Sequence, residues 1–561
     1  MGNERMGGTT FHADSRLRML EGMTEERLDV LVIGGGITGA GIALDAASRG
    51  MKVGLVEMQD FASGTSSRST KLIHGGLRYL KQLEIGVVAE VGKERAVVYE
   101  NGPHVTTPER MLLPLYQGGS FGKLTTSMAL RFYDFLAGVK KAERRKMLSS
   151  TTTLQREPLL KRMGLKGGGL YVEYRTDDAR LTIEVMKKAV SLGARAVNYA
   201  KAEQLWHGSD GKLAGATIRD VIGGELFRVE AGIVINATGP WVDEIRESDG
   251  SRGGKTLHLT KGVHVVFDGV RFPLRQAVYF DTPDGRMIFA IPREGKTYLG
   301  TTDTNYAGDT ANPTMTKEDR TYLLKAANAM FPTLKLTSAD VESSWAGLRP
   351  LVHQEGKSPS EISRRDEIFV SASGLVSIAG GKLTGYRKMA EAVVDRAAKL
   401  GQAAGASGFG PSRTKAMPIS GGDTGGSEGF EAYVAGKTAA GIALGLDGAA
   451  ASRLTRRYGS NTDALWRMYP DAVKLHGKYG LPNELAIQLL YSIREEMTVK
   501  AVDFYIRRTG LLYFDIHEVR RWKSVVLHAM GDELGWSRSD MASHERELDI
   551  ALESATMPSP Q

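Results

Sequence analysis

DVLVIGGGITGAGIALDAASRGMKVGLVE, residues 29–57, decides the reading of the fold. Asp29-Val30-Leu31-Val32-Ile33 is a short apolar run of the buried-strand type. Gly34-x-Gly36-x-x-Gly39 follows at once, a helical pattern runs to Arg49, and a second strand, Lys52 to Val56, ends in the acid Glu57. Each part has a chemical purpose. Gly34 permits the tight turn, Gly36 lets the backbone approach a pyrophosphate, and Gly39 lets the helix pack close to the strand. Ile37 and Thr38 open the helix, whose free N–H groups and partial positive charge face the phosphates. Glu57, about 20 residues on, suits a ribose diol. A glycine fingerprint alone is weak evidence, but strand, helix and acid in register make this one a dinucleotide site.

The rest of the composition bounds the class. The chain has 561 residues, 42% of them apolar, enough for a large core and two to four domains. The 67 glycines fit an α/β protein with many tight turns. There is no cysteine, which excludes disulfides, thiolate metal sites and cysteine nucleophiles. A net charge of +8 and a pI near 9.2 suit nucleic acid, an anionic lipid surface or an anionic substrate alike. No apolar run is long enough to span a bilayer. Met1 to Arg27 lacks a hydrophobic signal core and reads as a flexible lead-in to a cytoplasmic chain.

Further along, Phe61 to Lys81 is a small, serine-rich loop that turns apolar around His74-Gly75-Gly76, the kind of segment that wraps a pyrophosphate with backbone and hydroxyl donors. Leu80 to Asn101 and Arg175 to Leu192 read as helices, and Gly193 to Val197 as a strand. Ile233-Val234-Ile235-Asn236 is a buried strand that ends in the small turn Ala237-Thr238-Gly239. Several short alternating runs between Leu257 and Tyr306 predict an antiparallel sheet inserted into the nucleotide domain. Leu375 to Ala379 is a second buried strand, followed by Gly380-Gly381-Lys382-Leu383-Thr384 and a helix to Lys399. The predicted fold class is therefore an α/β dinucleotide-binding domain with an inserted antiparallel-sheet substrate domain and an α-helical C-terminal domain. The nucleotide-binding parts fall at about 28–100, 176–255 and 345–400, and the substrate-domain parts at about 101–175 and 256–344. Residues 401–426 read as a linker and 427–561 as the helical domain.

GGGITGAG, SSRSTKLIHGGLRYL, NATGPWV, KGVH, GTTD, GLRPL and GGKLTGYRK occur here in that order. Together they resemble the FAD-dependent glycerol-3-phosphate dehydrogenases, in their bacterial form, from about Asp29 to Lys399 and more weakly beyond. The resemblance implies FAD as cofactor, sn-glycerol 3-phosphate as substrate, dihydroxyacetone phosphate as product and a membrane quinone as electron acceptor. It implies no metal and no nucleic acid, and leaves room for a homodimer. A glycerol-3-phosphate oxidase using oxygen and an amino-acid or sarcosine-type flavin oxidase are the enzymatic alternatives. A flavin-binding protein without turnover is the alternative from another class.

A phosphate monoester calls for a cationic clamp, which arginine fits better than lysine. The candidates are Arg78 in HGGLRY, Arg349 in GLRP, and Arg364 or Arg365 in SRRD. The C2 hydroxyl must lose a proton as hydride leaves C2, and a histidine is the natural base. His264 in KGVH and His74 in IHGG are the two inside motifs, with His264 favoured as substrate-facing. Lys382 can offer positive charge to the flavin or the substrate oxygen. Tyr79 is expected as a pocket wall. By the same resemblance Ser66, Ser67, Lys71, Leu72, His74, Gly75, Gly76, Ala237, Thr238, Gly239, Gly380, Gly381, Lys382, Leu383 and Thr384 join the opening motif in holding FAD, non-covalently in a chain without cysteine. A quinone resides in the bilayer, so Met128 to Lys146, apolar and then basic at Lys140, Lys141, Arg144, Arg145 and Lys146, is the expected contact with an anionic membrane surface.

Overall fold

The computed structural model describes residues 11–74, 85–119, 144–352, 366–403, 405 and 408–559. In chain order, strand β1 (Leu28–Ile33), the helix Ile37–Ser48 and β2 (Val53–Val56) make the opening unit. The short β3 (Leu72–Ile73) follows the serine-rich loop, and the helix Ile85–Asn101 leads to β4 (Thr106–Tyr116), β5 (Lys146–Leu148) and β6 (Leu165–Thr176). Asp177 caps the helix Asp178–Ser191 by accepting from the Arg180 N–H at 3.1 Å, and the chain continues through β7 (Arg195–Val197), β8 (Ala200–His207), β9 (Leu213–Asp220) and β10 (Leu226–Asn236). Then come β11 (Leu257–Asp268), β12 (Ala277–Asp281), β13 (Met287–Arg293), β14 (Lys296–Gly300), β15 (Thr304–Asn305) and β16 (Val341–Val352). Finally β17 (Glu367–Val370) and β18 (Val376–Ala379) precede the helix Tyr386–Ala403.

Two sheets carry the oxidoreductase region. The first is eight-stranded, in the order β17-β18-β10-β1-β2-β7, with β8 and β9 as an antiparallel excursion from β10. Its core strands β1, β2, β7, β10 and β18 pair in parallel. β1 and β2 are buried throughout apart from half-buried Asp29, as expected for a parallel sheet covered on both faces by helices. The second sheet is ten-stranded and mostly antiparallel, in the order β15-β11-β14-β13-β12-β4-β6-β3, with β16 on β11 and β5 on β6. The helix Lys317–Met330, closed by a Thr316/Asp319 capping box, packs its Leu323, Ala327 and Met330 into the core formed by this sheet. Beyond residue 426 the described chain is helical, from Gly426–Ala443 to Arg538–Thr556.

Three expectations change at this level. Residues 11–27, expected as part of a flexible lead-in, are packed. Met19, Leu20 and Met23 are buried, Phe11 stacks on Phe61 with centroids 5.5 Å apart, and Arg16 bonds to the Asn198 carbonyl at 2.8 Å and to Asp220. The linker is anchored too. Ile419 is buried, Ser412 donates to Asp45 at 2.5 Å, and Asn101 donates to the Thr414 carbonyl at 3.1 Å. The domain boundaries also shift, because β3 and β16, expected in the nucleotide-binding parts, both pair into the antiparallel sheet. The strand predicted at 193–197 is Arg195–Val197, the helix predicted from Arg175 begins only at Asp178 because Arg175 and Thr176 belong to β6, and the described part of the helix predicted to 101 is Ile85–Asn101. Met128 to Glu143 of the expected membrane contact lies outside the described residues.

Candidate active site

A cavity of about 960 Å³ opens where the C-terminal ends of β1, β2, β10 and β18 meet the face of the antiparallel sheet. That is the edge of a parallel sheet where ligands bind, and the volume is at the upper end of the ~300–1,000 Å³ usual for a ligand cleft.

The dinucleotide end is built from the opening motif. Gly34 has φ +113°, and a Cβ there would lie 2.5 Å from the Ala237 carbonyl oxygen. Gly36 abuts the cavity, where a Cβ would crowd Ser66 Oγ at 3.0 Å. Gly39 does not line it. A Cβ there would fall 1.9 Å from the Gly34 carbonyl, so Gly39 serves the helix–turn packing alone. Ser66 Oγ accepts the Ile37 N–H at 2.9 Å, placing a hydroxyl at the helix N-terminus with a proton to donate to an anion. Glu57 accepts the N–H groups of Gly35 at 2.7 Å and Gln59 at 2.8 Å. Burial pushes its carboxyl above the usual range, and the two amides oppose that. A carboxylate already fixed by backbone donors retains lone pairs for a vicinal diol. Ile37, Thr38, Leu72, Ala237, Thr238, Gly239, Gly380, Gly381, Leu383 and Thr384 complete the wall. These residues fit FAD: the backbone can approach closely, the helix terminus faces the cavity and the acid stands at ribose distance in the chain.

Two expected cofactor contacts do not reach the cavity wall. Lys71 is buried, its Nζ bonded to Asp178 at 2.6 Å and to the Ser67 carbonyl at 2.9 Å, and Ser67 is buried beneath it. They hold the loop's shape, while their neighbours Arg68, Ser69 and Thr70, not singled out by the motif, line the cavity. Arg68 donates to the Ala311 carbonyl at 3.1 Å.

At the other end β11, β14 and β16 bring together His264, Arg349 and Asp303. His264 lines the cavity yet is only 1% exposed. Its ring lies parallel to Trp345, with centroids 4.8 Å apart and planes at 12°, and its Nε2 meets Thr70 Oγ1 at 3.0 Å. Gly300 faces it across β14, where a Cβ would come within 2.2 Å of the imidazole. Burial, and then the charges of Arg349 and Lys71, hold this histidine well below its usual range, so it is neutral at physiological pH. Arg349 donates to Asp303 Oδ1 at 3.1 Å, Thr301 Oγ1 at 3.1 Å and the Thr302 carbonyl at 3.3 Å. Gly262 of KGVH makes room for the guanidinium, since a Cβ there would lie 2.6 Å from Arg349 Nη2. Asp303 is the acid of GTTD, and its part as the Arg349 partner was not foreseen. Lys382 lines the cavity in the turn after β18, and Thr384 Oγ1 donates to the His74 carbonyl at 3.2 Å. The His74 ring sits 6.2 Å from that of Phe289. The structure thus gathers His74, His264, Arg349 and Lys382 around one cavity. Gly75, Gly76, Arg78, Tyr79, Arg364 and Arg365 lie outside the described residues, and no metal-binding cluster occurs among the described ones.

Comparison with known proteins agrees with this architecture. Residues 29–387 match the family described as FAD dependent oxidoreductase, and residues 412–541 match the C-terminal domain of alpha-glycerophosphate oxidase. The chain is 59% identical to the aerobic glycerol-3-phosphate dehydrogenase of Bacillus subtilis (strain 168), over 98% of this chain and 99% of that one. It is 55% identical to the enzyme of the same name from Staphylococcus aureus (strain USA300), over 96% and 97%. The crystal structure of the glycerol-3-phosphate dehydrogenase from Bacillus halodurans complexed with FAD superposes with a TM-score of 0.86 at 49% identity, covering 98% of this chain and 99% of that one. A dinucleotide cradle of glycines and one acid, a helical C-terminal domain and relatives matched almost end to end lead to one conclusion: the chain belongs to the FAD-dependent glycerol-3-phosphate dehydrogenase family.

Proposed function

We propose that the protein oxidises sn-glycerol 3-phosphate to dihydroxyacetone phosphate and passes the electrons to a quinone in the membrane. FAD, when bound, accepts the hydride that leaves C2. The glycine turn, the helix N-terminus with Ser66, and Glu57 hold its pyrophosphate and ribose. Arg349 and Lys382 bind the substrate's anionic end, and His264 takes the proton of the C2 hydroxyl. His74, in the same cavity wall, is the second candidate for flavin contact or for the base.

The observation that carries this reading is the buried, neutral His264 in the same wall as Arg349. A neutral imidazole can accept a proton, and an imidazolium cannot. Arg349 is one of the groups that lowers its proton affinity. A phosphate dianion bound beside Arg349 offsets that charge, so the base strengthens when substrate arrives.

A bilayer-borne acceptor requires the protein to dock on lipid. No helix among the described residues is long and apolar enough to cross a membrane. Of the basic cluster assigned to lipid contact, Arg144 and Lys146 are exposed, and Lys161, Arg162 and Lys166 are exposed nearby, beside a Met163 that is 80% exposed. Each such charge is worth about 1 kcal/mol at an anionic surface.

The test is product analysis on the FAD-loaded protein. Glycerol 3-phosphate with a soluble dye should give dihydroxyacetone phosphate and reduced dye one for one, and quinone in anionic vesicles should replace the dye. Turnover of glycine or sarcosine without turnover of glycerol 3-phosphate would replace this reading with the amine-oxidase one.

A further inference from the structure

We propose that the helical C-terminal domain positions the active-site histidine: Tyr513 and Phe514 clamp Trp345, and Trp345 holds the ring of His264. The proposal rests on the reading of His264 as proton acceptor given above.

His264 has few fastenings of its own. Its Nε2 meets the Thr70 hydroxyl at 3.0 Å, and its Nδ1 has no hydrogen-bond partner among the described residues. A single hydrogen bond leaves an imidazole free to tilt about its χ2 axis, and a parallel ring on its face removes that freedom. Trp345 supplies that face.

The indole in turn is fixed from two sides. Its Nε1–H donates to the Ser69 carbonyl at 3.0 Å, which ties it to the same loop that carries Thr70. Behind it stand Tyr513 and Phe514, with centroids 5.3 and 5.6 Å away, both from the short helix Leu511–Phe514 of the C-terminal domain. Trp345 is 3% exposed, and Tyr298, with its centroid 5.6 Å away, and Lys71 Nζ, 5.4 Å from the ring centroid, also lie against it.

That short helix is itself held to the oxidoreductase region. Ser343, two residues before Trp345 on β16, donates to the Tyr513 carbonyl at 2.5 Å. Just upstream, Arg508 grips the buried Asp60 with two bonds, at 2.7 and 2.9 Å, while Arg507 adds a third at 2.5 Å. Asp60 belongs to the turn between Glu57 and Ser66, the two residues assigned to the dinucleotide. One segment of the helical domain, residues 507–514, therefore touches the supports of both ends of the cavity. Trp345, Tyr513 and Phe514 touch no reacting atom in this scheme. They are positioning residues.

A double-mutant cycle on the FAD-loaded protein tests the idea, read as the rate of anaerobic flavin reduction by glycerol 3-phosphate. Trp345→Leu should slow reduction about tenfold in the native background and less than about twofold in a His264→Gln background, because groups in one chain of contacts couple strongly. Trp345→Phe, which keeps a ring on His264, should recover most of the rate. Phe514→Leu should fall between them, with FAD content unchanged in every variant. Equal slowing in both backgrounds would overturn the proposal.

A second measurement needs no turnover. In protein labelled with 15N-histidine, the His264 signal, identified by its loss in His264→Gln, should shift and broaden in Phe514→Leu. An unmoved signal would also overturn the proposal. Full activity of His264→Gln alone would instead sink the proton-acceptor reading, and the spectrum would still decide whether the ring is positioned by the helical domain.

Discussion

Arg349→Ala separates the clamp from the rest of the site. Its guanidinium spans Asp303, Thr301 and the Thr302 carbonyl, and its side chain is 22% exposed. Loss of a charge-assisted contact to the substrate phosphate costs about 1.5–3 kcal/mol, roughly tenfold to 150-fold in kcat/KM. A second effect adds to this. Asp303, paired with Arg349 at 3.1 Å, loses that counter-charge beside the anion site. At a separation of about 6 Å and an effective dielectric of about 20 its repulsion is on the order of 3 kcal/mol per unit charge, an upper bound that partial exposure reduces. The two effects together place the loss at about 100-fold to 1,000-fold. Asp303→Asn in the Arg349→Ala background should return about tenfold of it. The assay is kcat/KM with a soluble dye, with FAD content read from the absorbance of the purified variants. FAD content should stay normal, because Arg349 stands at the substrate end. Unchanged kinetics in Arg349→Ala would remove it from the site, and a double variant no better than the single one would refute the charge argument.

Other outcomes follow from the buried titratable groups. Burial raises the Glu57 carboxyl above the usual carboxylate range, and ribose hydroxyls favour its ionised form, so FAD affinity should weaken as the pH falls through that raised range. Equilibrium dialysis would measure this, and Glu57→Gln should bind FAD more weakly with no such slope. Because His264 is held well below 6.5, kcat/KM should keep its activity on the acid side to well below 6.5. Arg349→Ala removes one of the charges that lowers it, so the acid limb should move upward in that variant. His104, buried and held down at about 4, is neutral in the fold but protonates near 6.5 when unfolded. The unfolded chain then binds the extra proton between those values, so stability is lost as the pH falls from 6.5 towards 4, by up to about 3 kcal/mol at 1.36 kcal/mol per unit. Chemical denaturation of His104→Gln across that range should show a shallower loss.

What was legible in the sequence was what is local. The βαβ unit was readable because strand, turn, helix and acid follow each other in 29 residues, and the Gly380–Thr384 turn for the same reason. Lys71 was misjudged because its partner, Asp178, is 107 residues away, and nothing near a lysine announces a buried ion pair. Arg68, Ser69 and Thr70 were passed over in the same loop because irregular backbone gives no period from which to tell inward from outward. Asp303 was visible as the acid of GTTD, but its pairing with Arg349 depends on β11 and β16 lying side by side. Phe11, Met19, Leu20 and Met23 carried an apolar signal in the supposed lead-in. It was too short to weigh without the Phe61 and Arg16–Asp220 contacts that fix it. The support of His264 by Tyr513 through Trp345 joins residues 249 positions apart in sequence, and no pattern in the chain encodes it.

The most direct test of the whole account is anaerobic addition of sn-glycerol 3-phosphate to the purified, FAD-loaded protein, followed by the absorbance of the oxidised flavin. The cradle, the clamp and the neutral histidine together predict rapid bleaching by this compound. They predict none by glycerol, glycine, sarcosine or D-amino acids, which lack the phosphate that the proposed Arg349 clamp requires. Bleaching by an amino acid with none by glycerol 3-phosphate would contradict the account.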